Sequence, residues 1–241
     1  MILAFNTATI QYSIALLQEN GTLSAEIFLA PRSARYATFL PNLHHLLQIS
    51  QSDIGRIEAI VVTTGPGSFT GLRVGLATAK GLAQGLGRPL IGVSSLEAMA
   101  AHLTSSTYPI CPILNSRRGE VFCAIFGHDR EGTFRQIKAI TCRPFEDLPR
   151  YVEETVVFVG HDFEKQAPQI KTVFGSRAFL APTHLWTLKA SAVGARGLER
   201  FRARDFDDLE SLVPTYLRPP DIRSNPYPLV THPVDTLAPQ T

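Results

Sequence analysis

The residue pattern best suited to handling phosphate runs from Gly65 to Arg73: Gly-Pro-Gly-Ser-Phe-Thr-Gly-Leu-Arg. An apolar run, Ile57 to Thr64, leads into it, and a helix-like stretch to about Leu86 follows. The pattern therefore reads as strand, glycine turn, helix. One proline and two glycines permit a sharp break in the strand, and Ser68 or Thr70 can cap the helix through a hydroxyl. Free N–H groups at the start of such a helix can cradle an anion. The spacing is wrong for the known fingerprints, however. A P-loop needs Gly-Lys-Ser/Thr where this chain has Gly71-Leu72-Arg73, and Thr70 stands where G-x-G-x-x-G needs its third glycine. Arg73, a cation in the first turn, opposes the helix dipole. It points either to an anionic neighbour, a nucleotide or a partner's side chain, or to a locally paired surface arginine.

The same helix carries a second pattern. At about 100° per residue, Gly71, Val74, Gly75, Thr78, Gly81, Leu82 and Gly85 fall on one face. Each glycine inside a helix costs roughly 1 kcal/mol relative to alanine, so four on one face imply a backbone packed very close. That backbone belongs to the protein's own sheet or to a helix of another chain; phosphate binding at the N-terminus is the third reading.

Other chemistry-bearing residues are fewer. Arg117, Arg118 and Glu120 cluster at a strand end, suited to an ion pair, a partner contact, a nucleotide contact or plain solvation. Arg196, Arg200 and Arg204 recur every four residues and could meet nucleic-acid phosphates, but Glu199, Asp205 and Asp207 balance them as a solvated face. His44 and His45 are adjacent, so on a helix they diverge and read as surface residues. Cys111, Cys123 and Cys142 are odd in number and lack metal-type spacing, which suits reduced thiols. Trp186, Phe201 and Tyr216 read as packing residues. No Ser-His-Asp or Cys-His arrangement stands out, so no catalytic and no metal-binding residue is expected.

The elements that would position these residues come twice. Strands at Ile2–Phe5, Tyr12–Gln18 and Thr22–Leu29 are joined in part by the Asn20-Gly21 turn. A helix from Ser33 to about Ile49 follows, with Pro41 suggesting a kink or a late start. The glycine helix, a strand at Pro89–Val93 and a helix capped by Ser94 with Glu97 complete the first half. From Ile110 the order restarts, ending in a long helix over Leu185–Ala203. Each half reads β-β-β-α-β-α-β-α, which predicts an α/β fold of two duplicated lobes, 1–106 and 107–217. A tail, 218–241, holds six of the 17 prolines in 24 residues and cannot join a helix or a sheet interior.

Composition narrows the class further. With 241 residues, 44% hydrophobic, 18% charged and a net charge of +2, the chain can bury a large core and is unlike a strongly basic nucleic-acid binder. Met1 opens onto an apolar run of only a few residues, and no stretch is long enough to span a bilayer, so a cytoplasmic protein without a membrane anchor is expected.

Four stretches resemble the TsaB (YeaZ) family. Gly65–Ala83 is similar to its glycine-rich signature, Met1–Thr9 to its opening strand, Ile113–Phe122 to its mid-chain segment, and Pro214-Thr215-Tyr216-Leu217-Arg218 to its closing motif. The resemblance implies an actin-like, hsp70-like ATPase (ASKHA) fold with two ribonuclease-H-like lobes. It also implies an accessory subunit of the complex that forms N6-threonylcarbamoyladenosine beside the anticodon of tRNAs. In that picture the subunit pairs with a TsaD-type catalytic paralogue and a TsaE-type ATPase, meets tRNA only through the complex, and can pair with itself when alone. Nothing is expected to bind tightly to this chain, with ATP confined to an interface of the complex. Gly71, Val74, Gly75, Thr78, Leu82 and Gly85 become the expected partner-binding residues, with Arg73, Arg117 and Glu120 as nucleotide or partner contacts. Relatives commonly carry Asp where this chain has Asn6 and Asn115, and an amide is a poorer ligand for hard Mg²⁺. The loop Thr7-Ala8-Thr9 lacks a glycine, and the HxxxH metal motif of the catalytic paralogue is absent. The remaining alternative is a free-standing ATPase or kinase of the same fold.

Overall fold

The protein was examined as a computed structural model, which describes residues 1–29, 38–117 and 119–217. The first lobe is built on β1 (Ile2–Asn6), β2 (Tyr12–Leu17), β3 (Leu23–Leu29), β4 (Ala59–Gly65) and β5 (Leu90–Ser94), ordered β3-β2-β1-β4-β5. The first three strands form an antiparallel meander; β4 pairs parallel with both β1 and β5. Every residue of β1 and β2 is buried, the signature of central strands covered on both faces.

One face of this sheet carries α1 (Phe39–Ile49) and α2 (Phe69–Leu86), whose Leu43, Leu46, Leu76 and Ala79 share a core with Leu3, Phe5, Ile14 and Val62. Ser68 caps α2 by accepting from the Gly71 N–H, and Gly87 ends it in the left-handed region, as expected. The start of α1 expected at Ser33 lies outside the described residues. In the described part the helix begins at Phe39, so Pro41 falls in the first turn, where its missing N–H leaves no bond unmade.

The second lobe repeats the plan. Its strands β6 (Ile110–Asn115), β7 (Glu120–His128), β8 (Phe134–Pro144), β9 (Val156–Val159) and β10 (Ala178–Leu180) are ordered β10-β9-β6-β7-β8. Counted within each lobe, both sheets have the order 3-2-1-4-5, with β6 antiparallel to β7 and parallel to β9. The duplication expected from element order is therefore real at the level of topology. These are two ribonuclease-H-like lobes in the actin-like, hsp70-like ATPase arrangement.

The last helix of each half crosses over. Of the four helices α3 (Ser95–Ala101), α4 (Leu148–Tyr151), α5 (Phe163–Phe174) and α6 (Ala190–Arg202), α3 packs against β6 and β7 of the second sheet. In return α6 lies across β1, β2, β4 and β5 of the first. Gly194 and Gly197 make that approach possible, since a Cβ on Gly197 would stand 2.3 Å from Val61. Helix α6 begins at Ala190 and not at Leu185, because the chain first turns so that the Trp186 Nε1–H donates to the Ala181 carbonyl at 2.9 Å. Arg196 of α6 binds Glu97 of α3 through two nitrogens, at 3.1 and 2.5 Å.

Beyond α6, residues 203–217 form a strap that returns along the first lobe. Asp207 pairs with Leu90 at the edge of β5, its carboxylate accepts from the Gly92 N–H at 2.7 Å, and the Thr215 N–H donates to Thr64 at 2.8 Å. The division 1–106 and 107–217 thus separates the two sheets but not the two packing units, since α6 and the strap belong with the first sheet. Arg200 holds the strap through Asp205 and Asp207, and Arg196 is committed to Glu97 and Glu199. The arginine row is therefore balanced by carboxylates at two of its three members. The expected proline-rich tail, 218–241, lies outside the described residues.

Candidate functional site

Between the lobes lies a cleft of about 590 Å³. Four segments meet there: the β1–β2 turn at Ala8–Ile10, the glycine turn and first turn of α2, the end of β6 through Arg117, and the strap at Thr215–Leu217. Phe122 and His161 complete the wall. The lining is mostly apolar, and among the described residues Arg117 is its one side chain with a formal charge at neutral pH. Among the described residues, neither Asp nor Glu lines it.

In this fold the loop after β1 is where a nucleotide's phosphates and their Mg²⁺ would be expected, and the residues present do not fit that ligand. Asn6 is fully buried and spent on internal bonds. Its amide donates to the Leu188 carbonyl at 2.9 Å and to Thr9 Oγ1 at 3.2 Å, while its oxygen accepts from the Ala8 N–H at 2.9 Å. The room above the loop is taken by the glycine turn itself. The Ser68 N–H donates to the Ala8 carbonyl at 2.7 Å, and a Cβ on Gly67 would lie 2.2 Å from that oxygen. Among the described residues, no group of three His, Cys, Asp or Glu side chains is placed to hold a metal ion.

Across the cleft, Asn115 is oriented from behind. Its oxygen accepts from Gln166 Nε2 at 2.9 Å, and the buried Gln166 in turn accepts from the His161 and Asp162 N–H groups at 3.0 and 3.1 Å. Burial lowers the pKa of His161 from its ordinary value, only partly opposed by Asp162 and by the Ile113 carbonyl. The imidazole is thus a neutral wall of the cleft.

The expected site residues separate into three groups. Gly71 and Gly75 are buried within the chain's own fold. A Cβ on Gly75 would stand 2.0 Å from Thr7 Oγ1, so the close backbone approach inferred at Gly75 is to the protein's own first lobe. Both glycines are thus turned inward in the lone chain. Val74, Thr78 and Leu82 are half-buried, and Gly81 and Gly85 are exposed with open space beside them. The strap flanks this stripe on one side, where Lys80 reaches the Glu210 carbonyl. On the other, Leu82 joins Leu40, Leu43, Leu47 and Ile54 in a groove of about 320 Å³ between α1 and α2.

Arg73 does not enter the cleft. Its guanidinium lies 3.8 Å over the Phe69 ring, and Nε donates to the Tyr216 hydroxyl at 2.9 Å, which favours the locally paired reading. Arg117 lines the cleft, whereas Glu120 opens β7, its N–H donating to the Arg117 carbonyl at 3.1 Å. Arg118 lies outside the described residues. Ile10, Phe69, Tyr216 and His161 were not anticipated as cleft residues. Phe69, inside the glycine-rich signature, and Tyr216, inside the closing motif of the family resemblance, carried signals that could have suggested them.

Comparison with known proteins places the chain. A family model described as TsaD, tRNA N6-adenosine threonylcarbamoyltransferase, matches residues 33–195. A protein of Bacillus subtilis (strain 168) described as tRNA threonylcarbamoyladenosine biosynthesis protein TsaB is 31% identical over 220 residues, covering 90% of this chain and 93% of that one. The TsaB protein of Escherichia coli (strain K12) is 38% identical over 133 residues, 54% of this chain and 57% of its own. Among solved structures, YeaZ from Pseudomonas aeruginosa aligns with a TM-score of 0.72 at 22% identity, over 90% of this chain and 99% of that one. The ethanolamine utilization protein EutJ from Carboxydothermus hydrogenoformans aligns with a TM-score of 0.52 at 12% identity, over 80% of this chain and 88% of its own. The structural likenesses speak to the fold, and the sequence match along most of both chains speaks to descent: the chain belongs to the TsaB (YeaZ) family.

Proposed function

We propose that this chain is a non-catalytic, partner-binding subunit in the formation of N6-threonylcarbamoyladenosine in tRNA. The biosynthetic role rests on the relatives named for that process. The non-catalytic role is carried by one observation: at the loop after β1, where a nucleotide's metal would sit, Asn6 is consumed by the protein's own backbone, and among the described residues no carboxylate lines the cleft. A TsaD-type paralogue supplies the transfer chemistry in this reading. A TsaE-type ATPase joins the pair, tRNA meets the chain only through the complex, and any ATP sits at an interface of that complex in the cytoplasm.

The partner contact is assigned to the open side of α2, at Val74, Thr78, Gly81, Leu82 and Gly85, together with the adjoining groove. Two exposed helix glycines with open space beside them allow another helix to approach closely, and Leu40, 58% exposed, adds apolar area at the groove. In the absence of a TsaD-type partner, the same surface permits self-association.

The test is co-purification of the full chain with its TsaD-type partner after Gly81→Glu and Gly85→Glu. Both positions have room for a side chain in the lone protein. The expected result is loss of the partner with a melting temperature no lower than that of the unaltered chain; retention of the partner would remove α2 from the interface. Magnesium-dependent ATP turnover by the isolated chain would instead favour a free-standing ATPase.

A further inference from the structure

We infer that the start of α6 is a clasp that sets the partner-binding surface of α2, with Ser13 and Glu26 as its positioning residues. A helix leaves its first N–H groups without partners of its own, and a side chain at the N-cap commonly serves them. In α6 the N-cap is Lys189, whose side chain makes no such bond. The first lobe supplies the cap instead. Ser13 of β2 accepts from the Ala190 N–H at 2.8 Å. Glu26 of β3 takes both donors of Ser191, the backbone N–H at 2.8 Å and the hydroxyl at 3.0 Å. Asn6, at the end of β1, donates to the Leu188 carbonyl. Each of the first three strands thus holds part of the stretch 188–191. A carboxylate against the positive end of a helix is favourable in charge as well.

The hold does not end at α6. The Asn6 oxygen accepts from the Ala8 N–H, the Ala8 carbonyl accepts from the Ser68 N–H, and Ser68 Oγ caps α2 at the Gly71 N–H. One continuous run of hydrogen bonds therefore joins the starts of two helices that cover opposite faces of the first sheet. Asn6 is the link, serving α6 with its amide nitrogen and the turn before α2 with its oxygen. It is fully buried, so water cannot take over either bond. When 188–191 lifts, Asn6 loses the carbonyl that orients its amide, and α2 loses the fixed Ala8 carbonyl behind Ser68. Further along α6, a Cβ on Gly194 would stand 2.4 Å from Leu17. That close packing confines the opening to the start of the helix.

Amide hydrogen exchange on the full chain tests the clasp. Glu26→Ala, at a half-buried position on the edge strand β3, removes both acceptors that Ser191 uses. Exchange should rise by about tenfold at 188–194 and also at 67–72. It should stay unchanged in α1, which shares the face of the sheet with α2 but has no part in the bonded run. Ser13→Ala should act in the same direction, and Glu26→Gln, which keeps one acceptor, should recover most of the protection. A rise at 188–194 alone, or an equal rise in α1, would overturn the clasp as a device acting on α2. A second readout, affinity for the TsaD-type partner, rests on the assignment of α2 as the partner surface. Its dissociation constant should rise roughly two- to thirtyfold in Glu26→Ala. If Gly81→Glu loses the partner while Glu26→Ala keeps it at full affinity, the clasp fails and the interface stands. If Gly81→Glu keeps the partner, the interface fails and exchange at 67–72 alone decides the clasp.

Discussion

Asn6 has no accessible surface, and its amide and carbonyl ends are both used, the amide on the Leu188 carbonyl and the oxygen on the Ala8 N–H. This explains in physical terms why an amide suits this position, where the family resemblance implies Asp. The carbonyl it faces demands a donor, which an ionised carboxylate cannot supply. Asn6→Asp should therefore destabilise the protein without creating a nucleotide site. With a buried acceptor left unmatched, the expected cost is about 2 kcal/mol, seen as a fall of roughly 4–8 °C in melting temperature. An unchanged melting temperature would mean that the loop rearranges to accept the charge. The substitution was visible in the sequence; the reason for it was not, because Leu188 lies far along the chain and only the crossing of α6 brings it near.

At the scale of one element, α2 shows what periodicity can and cannot decide. The repeat of glycines placed them on one face correctly, and Ser68 and Gly87 bound the helix as their types suggest. What the repeat could not decide was which side of that face meets the protein's own sheet. Gly75 lies toward Thr7, while Gly81 and Gly85 meet open space. Substitution should separate these roles. Gly75→Leu drives a side chain into Thr7 and should lower the melting temperature of the lone chain, so it cannot serve as a clean interface probe. Gly81→Ala and Gly85→Ala should do the opposite, each raising the stability of the lone chain by up to about 1 kcal/mol by restoring helix propensity. The stabilised variants should also hold their partner less well if a helix packs at those glycines. Thermal melts of the three variants check the first part, and co-purification checks the second. Equal destabilisation by all three would mean that the exposed glycines carry backbone geometry the lone chain needs.

For the whole molecule, the doubled order of elements was legible because each strand and helix carries its own local pattern. The exchange of α3 and α6 between lobes was not, since a helix's apolar stripe names no particular sheet. That exchange makes the junction between lobes the most composite part of the fold, and two histidines titrate close to it. His102, at the end of α3, is exposed, and partial desolvation beside Lys189 lowers its pKa, with Glu26 opposing; His161, at the cleft, is lowered by burial, with Asp162 opposing and Lys165 adding to it. In both, the folded pKa lies below the ordinary 6.5. Above that value both states are neutral and stability is fully present. As pH falls through it, the unfolded chain takes up protons that the folded chain refuses, and stability is lost until the folded values are passed. The carboxylates of Glu58, Asp129, Asp205 and Asp208 are also lowered, but from 4.5 or 3.8, so their effect comes at more acid pH. Between roughly pH 7.5 and 5.5 the melting temperature should therefore fall mainly through His161, with a smaller share from the exposed His102. The double variant His102→Gln with His161→Gln should flatten that segment of the profile and leave the steeper fall at lower pH in place. A wild-type slope that persists in the double variant would assign the acid sensitivity to groups away from the junction.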